Sequence, residues 1–272
     1  MNALDDLMER RLLTGLSLVP AGANVVMQLS LAPVGRAVLE SRVESGSLTR
    51  HPVKRARTTL SYLALAMRGT EAERAWLGRE VSRPHRGVRS GEASPVAYDA
   101  FDPSLQLWVA ACLYRGGLDV LALYGESPDA PTLDALYERS ARLATTLQVP
   151  PEAWPATRAD FDAYWRARTA DLSVDEATRL YLVDLVTLGF LPRPLARLVG
   201  PWHARATLAL LDPPFRALLG LELGEPEEAR VRRQLAGLAR LYRMLPPALA
   251  RVPFSWVLRD ARARRARGRP LT

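Results

Sequence analysis

One histidine, surrounded by arginines, is the most chemically suggestive residue of this chain. His85 lies in the segment 81–89, which reads Val-Ser-Arg-Pro-His-Arg-Gly-Val-Arg, and a basic segment, 51–59, precedes it. A neutral imidazole can bind iron through one ring nitrogen, and a guanidinium can hold a carboxylate through two hydrogen bonds. A haem group needs such a ligand, an apolar slot and cations for its two propionates. The pattern is therefore compatible with a haem site on His85. Taken alone, it favours a surface histidine near a helix end, where positive charge is stabilised.

Arginines close to His85 are the candidate partners of the propionates. They are Arg55, Arg83, Arg86 and Arg89. Each of them, taken alone, is better explained by a solvated surface position. The other two histidines, His51 and His203, we interpret as structural or exposed.

Several other chemistries have no motif in this sequence. There is no Glu-x-x-His for a ferritin-like di-iron bundle and no His-Glu-x-x-His for a zinc protease. A phosphate-binding Gly-x-x-x-x-Gly-Lys loop and a Gly-x-Ser-x-Gly elbow are also missing. The single cysteine, Cys112, excludes an internal disulfide and any multi-cysteine metal site. Its apolar neighbours predict a buried, inert thiol.

The positive charge is concentrated at one end of the chain. The Arg-rich C-terminal segment 251–272 holds seven arginines and one acid, and so carries +6 of the net charge of +8. We expect a solvated helix end that is able to touch anionic surfaces. No recognisable nucleic-acid motif accompanies it, so we expect no specific nucleic-acid partner. Because the remaining body is nearly neutral, we also expect the residues from Arg262 onward to be dispensable for folding.

Helix signals dominate the chain and predict an all-α fold. Hydroxyl caps with an acid three residues on begin helices at Thr70, Thr157 and Ser173. Asp102 followed by Pro103 begins another, whose apolar face runs to Gly116. Further helices are predicted over 24–44, 52–67, 70–83, 131–147, 157–170, 173–188, 203–211, 226–244 and 254–267. We therefore predict a single globular domain of about ten helices over 1–272, with a buried, haem-sized apolar pocket.

The N-terminal part of the chain indicates a soluble protein. Its first residues are acidic and lack the order of a secretory signal, so we expect a cytoplasmic location. The stretch from Leu12 to Gly35 is uncharged, but Pro20, Gly22 and Pro33 interrupt it. A buried core helix after a loop is the better interpretation of that stretch than a membrane span.

The order of three blocks resembles one family, the latex-clearing rubber oxygenases and MpaB-type oxygenases. The blocks are 51–59, 81–89, and 94–103 followed by 107–113, and the resemblance runs from about Met27 to the Arg-rich end. It implies a divergent bacterial member that binds haem b, with His85 as the axial ligand of the iron. It also implies that Arg57 and Thr58 lie on the oxygen-binding side, with Lys54 one helical turn away and the family's two cation types exchanged. The alternative for these residues is a solvated N-terminal turn of the helix.

Two positions depart from the family pattern. Many relatives have a histidine before the proline of the first helix, where this chain reads Ser30-Leu31-Ala32-Pro33. Many also have Trp-Val-His where this chain has Trp-Val-Ala over 108–110. We expect residue 110 to lie inside the protein. The loss of both imidazoles puts rubber-type cleavage in doubt, although it does not affect the proposed axial ligand.

The resemblance implies a haem b-dependent oxygenase that uses dioxygen to oxidise or cleave a double bond in a hydrophobic, isoprenoid or lipid-like substrate. The first alternative is a non-catalytic, all-α protein that binds haem or another apolar ligand. A nucleic-acid binder that uses the basic C-terminal segment is a third possibility, for which no motif speaks.

Overall fold

The computed structural model describes residues 2–41, 43 and 49–271, which form an all-α fold. Within those ranges there is no strand, and one isolated antiparallel bridge joins Arg89 and Asp99. A π-helical turn (Met8–Leu12) and two 3-10 helices (Gly15–Leu18 and Pro151–Ala153) accompany the α-helices. In chain order the α-helices are α1 (Ala3–Leu7), α2 (Ala21–Leu29), α3 (Ala32–Leu39), α4 (Pro52–Arg68), α5 (Glu71–His85), α6 (Pro103–Tyr124), α7 (Ala130–Ser140), α8 (Arg142–Thr145), α9 (Arg158–Ala170), α10 (Glu176–Thr187), α11 (Arg193–Leu210), α12 (Pro213–Leu219), α13 (Glu225–Met244), α14 (Pro247–Ala250) and α15 (Val252–Ala266).

Side-chain caps begin three helices where the sequence predicts them. The Thr70 hydroxyl accepts a hydrogen bond from the backbone N–H of Glu73, and the Glu73 carboxylate accepts one from the backbone N–H of Thr70. Thr157 and Asp160 form the same box at the start of α9. Asp102 caps α6 just ahead of Pro103. Each pair satisfies backbone N–H groups that lack a partner inside the helix.

Three predicted helix boundaries are corrected by the structure. The cap of α10 is Asp175, whose carboxylate accepts from the N–H of Thr178, and not Ser173. The helix predicted over 24–44 is two helices, α2 and α3, because the chain turns at Ser30 and Leu31 ahead of Pro33. The helix predicted from 203 begins ten residues earlier, at Arg193, and continues through Pro201.

Helix α6 lies at the centre of the core. Trp108 is fully buried and stacks on Trp165 of α9 with ring centroids 5.2 Å apart. Its indole N–H donates to the Gln28 carbonyl of α2 at 3.0 Å. Cys112 is buried as predicted, and burial raises the pKa of its thiol. In the described chain α6 is long and apolar enough to cross a membrane, but half of that window is buried by the fold, as in core helices of soluble proteins.

The C-terminal segment packs into the fold, which corrects the expectation of a solvated helix end. Helix α15 lies along α4. Arg262 forms an ion pair with the buried Glu73 at 2.7 Å. Leu271 is 1% exposed, and its backbone N–H donates to the Glu80 carboxylate of α5 at 2.9 Å. The arginines of this segment therefore do not lie apart from the rest of the chain, because Arg251 pairs with Glu9 and Arg262 with Glu73.

Candidate functional site

His85 is the last residue of α5 and lies where that helix ends. Pro84, inside the final turn, contributes no N–H, and the chain then turns so that the N–H of Val88 donates to the His85 carbonyl at 2.9 Å. Within the described chain the imidazole has no hydrogen-bond partner. Burial, and secondly the positive charge of Arg55, lower the pKa of His85 from its usual value of 6.5 to about 4. The ring is therefore neutral at physiological pH, the form that can donate a nitrogen lone pair to a metal.

Arg55 brings a buried cation to the same place. It lies in the first turns of α4, where its backbone N–H donates to the His51 carbonyl at 2.9 Å. Its guanidinium forms no hydrogen bond or ion pair with another described residue. Burial lowers the pKa of Arg55, and the only opposing influence is Tyr181. A desolvated cation without a carboxylate partner is costly, and a bound anion would offset that cost.

Tyr181 of α10 is a member of this site that sequence reasoning missed. It is half-buried, burial raises the pKa of its phenol, and the Arg55 cation opposes that shift. Tyrosines are common in helical cores, and Tyr181 lies more than a hundred residues from Arg55 in sequence. No local signal separates it from the other tyrosines, so only the fold reveals its position.

Electrostatic interactions connect these three side chains, because the Arg55 cation acts on both the His85 imidazole and the Tyr181 phenol. Each is surrounded closely enough by protein for its pKa to shift, yet each keeps part of its surface accessible. Together they present a neutral nitrogen donor, an uncompensated cation and a phenol. We name this group, Arg55, His85 and Tyr181, the Arg55–His85 site. It is suited to a ligand that combines a metal with a carboxylate, and it does not need several protein ligands.

Of the residues predicted for the oxygen-binding side, Arg57 contacts the C-terminal segment, whereas Thr58 and Lys54 contact each other within α4. The Arg57 guanidinium donates to the Leu271 carbonyl at 3.1 Å and lies 3.6 Å from Asp260 of α15. Two positions along a helix from Arg55, it lies on nearly the opposite side of α4. The Thr58 hydroxyl donates to the Lys54 carbonyl at 3.0 Å, and both of these residues are half-buried. The structure thus brings Arg55 to His85 and brings Arg57 to the C-terminal segment.

The other arginines near His85 are exposed or have other partners. Arg83 forms an ion pair with Glu80 at 3.0 Å. Arg86 is exposed and, with Arg79 and Arg83, lines a groove of about 360 Å³ between α5 and the residues after α8. Arg89 is exposed and donates to the Arg86 carbonyl at 3.3 Å. Of the four arginines predicted to flank the imidazole, the structure brings Arg55 alone into electrostatic contact with His85.

Of the two places where the sequence departs from its relatives, residue 110 is inside the protein, whereas the stretch 30–33 is buried at Ser30 and half-buried beyond it. Ala110 is 1% exposed, as expected, and presents only a methyl group. Ser30 is fully buried, and its hydroxyl donates to the Val26 carbonyl at 2.8 Å. Neither position offers an acid or base to a ligand. His51 is exposed, and His203 of α11 is half-buried and bonded through Nδ1 to the Val186 carbonyl at 2.8 Å.

Multi-ligand metal sites are a different kind of site from the one described above. Within residues 2–41, 43 and 49–271 there is no cluster of three or more His, Cys, Asp or Glu side chains that could hold a metal ion. A haem iron takes four of its ligands from the porphyrin, so a single histidine is sufficient to anchor it.

Comparison with known proteins gives a match over most of the chain. Residues 10–244 match the model of a family described as "ER-bound oxygenase mpaB/B'/Rubber oxygenase, catalytic domain". Two relatives, uncharacterized proteins of Mycobacterium bovis and Mycobacterium tuberculosis, are each 46% identical over 253 residues. The alignments cover 93% of this chain and 98% of each relative. No solved structure matches the chain.

Proposed function

Because this chain belongs to the mpaB/rubber oxygenase catalytic-domain family, we propose that it is a haem b-dependent oxygenase-like protein. Its substrate would be a small hydrophobic molecule with a double bond, of isoprenoid or lipid-like character, and its co-substrate dioxygen. The observation that carries the proposal is the uncompensated Arg55 cation beside the neutral imidazole of His85. We also propose a cytoplasmic location, since a single buried thiol suits a reducing compartment.

The residues of the Arg55–His85 site fit a haem group. His85 would hold the iron through a ring nitrogen, which is free of any hydrogen bond within the described chain. Arg55 would pair with a propionate, and this pairing would relieve the electrostatic cost of burying its charge. When bound, haem supplies the activation of dioxygen that no side chain can provide.

The chain's own residues would orient the reactants and exclude water. Tyr181 has a phenol that stays protonated at neutral pH and can donate a hydrogen bond to a ligand bound beside Arg55. The family resemblance still assigns the oxygen-binding side to Thr58, Lys54 and Arg57. Two further arginines, Arg86 and Arg89, stay predicted partners of the propionates. For Arg57 the contacts with α15 supply a second explanation of its presence.

Haem binding is the experiment that tests the proposal. The purified protein, reconstituted with haem b, should show a Soret band, and His85→Ala should abolish or greatly weaken it. Arg55→Gln should weaken haem retention by roughly tenfold, the loss expected for one charge-assisted bond. His51→Ala is the matched control, because that histidine is exposed and should leave the spectrum unchanged. A protein that takes up no haem, or a His85→Ala variant with an unaltered spectrum, would exclude the proposed ligand.

A non-catalytic role is the second candidate function. The absence of a histidine at Ala110 and in the stretch 30–33 favours it, since many relatives have an imidazole at both places. A protein of this kind would bind haem or another apolar ligand and release no product. Incubation of the reduced, haem-loaded protein with dioxygen and short alkenes distinguishes the two, because only an oxygenase forms carbonyl or oxygenated products.

A further inference from the structure

Large apolar side chains are exposed on one group of helices. Met244 is 82% exposed and Leu198 is 77% exposed, whereas core side chains of the same types are almost fully covered. Eight of the exposed apolar side chains in the described chain belong to α11, α13, α14 and α15. They are Leu195, Leu198, Trp202, Leu241, Met244, Leu249, Val252 and Trp256. Single exposed leucines are ordinary, but a concentration of this kind marks a contact surface.

Helical spacing places five of these side chains on two stripes that meet. Leu195, Leu198 and Trp202 follow one another at intervals of three and four residues on α11. Leu241 and Met244 lie seven and ten residues after Gln234, on the same side of α13. The exposed Trp202 donates its indole N–H to the exposed Gln234 side chain at 3.1 Å, so the two stripes adjoin. Helices α14 and α15 follow α13 directly in the sequence and carry the other three exposed apolar side chains. We name this surface the α11–α15 face.

The charge on this surface is mostly positive. Between Asp184 and Asp212, a range that includes all of α11, the sequence has no acid, and the same holds between Glu228 and Asp260. Exposed arginines flank the apolar side chains: Arg193, Arg197, Arg240, Arg243 and Arg259. Of these, Arg243 forms an ion pair with Glu126. Arg197 and Arg240 form no ion pair with another described residue. The surface therefore offers apolar contact area and unneutralised positive charge together.

We propose that the α11–α15 face docks on an anionic lipid bilayer. Leucine and methionine side chains would enter the boundary between headgroups and acyl chains, and the two tryptophans would lie at the headgroup level, which their polar N–H and apolar rings suit. The arginines would lie against lipid phosphates. This proposal differs from contact through the C-terminal arginines, because Arg262 and Arg264 are engaged with Glu73 and Asp260.

Other partners fit this surface less well. A second copy of the chain, docked by a two-fold axis, would bring arginines of the two copies together with no acid on the face to neutralise them. A nucleic acid would meet the arginines but would leave the apolar stripes uncovered. An anionic bilayer satisfies both features at once. The proposal does not depend on haem, so it can be tested whether or not the Arg55–His85 site binds that group.

Vesicle binding tests the proposal with matched variants. The full-length protein is sedimented with vesicles of phosphatidylcholine alone and of phosphatidylcholine mixed with phosphatidylglycerol. We expect binding to the mixed vesicles only, with a strong loss at high salt. Leu198→Ser with Met244→Ser should weaken that binding by at least about tenfold. Arg197→Gln with Arg240→Gln should weaken it by roughly ten- to thirtyfold, at about 1 kcal/mol for each arginine.

The controls change the same residue types elsewhere on the surface. Val53→Ser removes an apolar side chain that is as exposed as Met244, and Arg79→Gln with Arg166→Gln removes two exposed arginines from other helices. Neither should alter vesicle binding. Absence of binding to the mixed vesicles overturns the proposal, and so does an equal loss in the control variants. A stable dimer that Leu198→Ser with Met244→Ser dissociates would assign the face to a second copy instead, which likewise overturns it.

Discussion

At the scale of single residues, Arg55 and His85 form a pair in which each would disfavour a positive charge on the other. Burial and the neighbouring cation keep the imidazole neutral, while the guanidinium lacks an anionic partner among the described residues. Packed cores normally pair or replace such groups, since an uncompensated buried charge lowers the stability of the fold. The arrangement is therefore most simply explained as preparation for an anionic ligand that bears a metal.

Asp119 is a second buried ionisable group and makes a prediction about stability. It lies within α6, where burial chiefly, and the Asp212 charge in addition, raise its pKa to about 6 despite the opposing effect of Arg115. Between about pH 4 and pH 6 the folded state then binds more protons than the unfolded state, so this group lowers stability progressively as the pH rises. Asp119→Asn should raise the free energy of unfolding by about 1–2 kcal/mol at pH 7.

Denaturant unfolding at several pH values measures this effect. The advantage of Asp119→Asn should shrink as the pH falls and should vanish below about pH 3, where the aspartate is protonated in both states. The exposed Asp162→Asn on α9 serves as the control and should show no such trend. A variant that is less stable than the parent at pH 7 would show that the Asp119 carboxylate makes a favourable contact.

The methyl group of Ala110 makes a prediction about the substrate. The side chain is buried in α6, and it cannot donate, accept or move a proton. We therefore expect the haem-loaded protein to bind dioxygen without efficient cleavage of polyisoprene, and to act on a smaller apolar molecule or none. The measurement is the release of carbonyl-ended oligomers from polyisoprene. Their rapid appearance would contradict the prediction.

Residue-level features were predictable from sequence where the signal is local. His85 could be singled out because arginines surround it, and Cys112 could be assigned to the core from its apolar neighbours. The choice between Arg55 and Arg57 could not be made, because it depends on which side of α4 meets α10 and which meets α15. Those helices are more than a hundred residues away in sequence. Tyr181 escaped prediction for the same reason.

At the scale of helices, the contact between α2 and α6 depends on one glycine. A methyl group at Gly116 would collide with the side-chain amide of Asn24, which donates to the Cys112 carbonyl at 2.6 Å. At the next residue, Gly117, the nearest atom to such a methyl is the Leu12 Cδ2 at 4.0 Å. Gly116→Ala should therefore lower the free energy of unfolding by about 1–3 kcal/mol.

Gly117→Ala is the matched comparison one residue away. It should be neutral or should stabilise the protein by about 0.5–1 kcal/mol, because alanine favours the helix and finds open space there. Thermal unfolding of the two variants measures the difference. Equal melting temperatures would show that Asn24 can move aside at no cost.

The extent of individual helices was predictable where caps mark their ends. The starts of α5 and α9 were predicted because a threonine hydroxyl and an acid lie three residues apart at the first turn of each helix, at Thr70 and at Thr157. The break between α2 and α3, and the extension of α11 through Pro201, were missed. Pro33 lies in the first turn of a helix and Pro201 lies inside one, although both follow apolar sequence. Tertiary packing, and not the local sequence, decides between these two outcomes.

At the scale of the whole molecule, the C-terminal segment makes the last prediction. Deletion of residues 262–272 removes the buried Leu271, the Arg262 partner of Glu73 and the N–H that Glu80 accepts. We expect a loss of about 3 kcal/mol or more in the free energy of unfolding, measured by denaturant titration. The control, Arg267→Gln with Arg269→Gln, removes exposed charge only and should change stability by less than about 0.5 kcal/mol. Equal stability of the truncated and intact chains would refute this.

The bond between Arg57 and Leu271 also has a consequence for how the protein is made. It joins residues 214 positions apart, and Glu9 and Arg251 are joined across 242. During translation α4 and α5 leave the ribosome long before the segment that covers them, so their packing waits for residues synthesised much later. Loop closure over such distances is slow, and partly covered helices are prone to aggregate meanwhile. Expression should thus benefit from slow synthesis at low temperature, and a fusion partner is better attached ahead of Met1 than directly behind the buried Leu271.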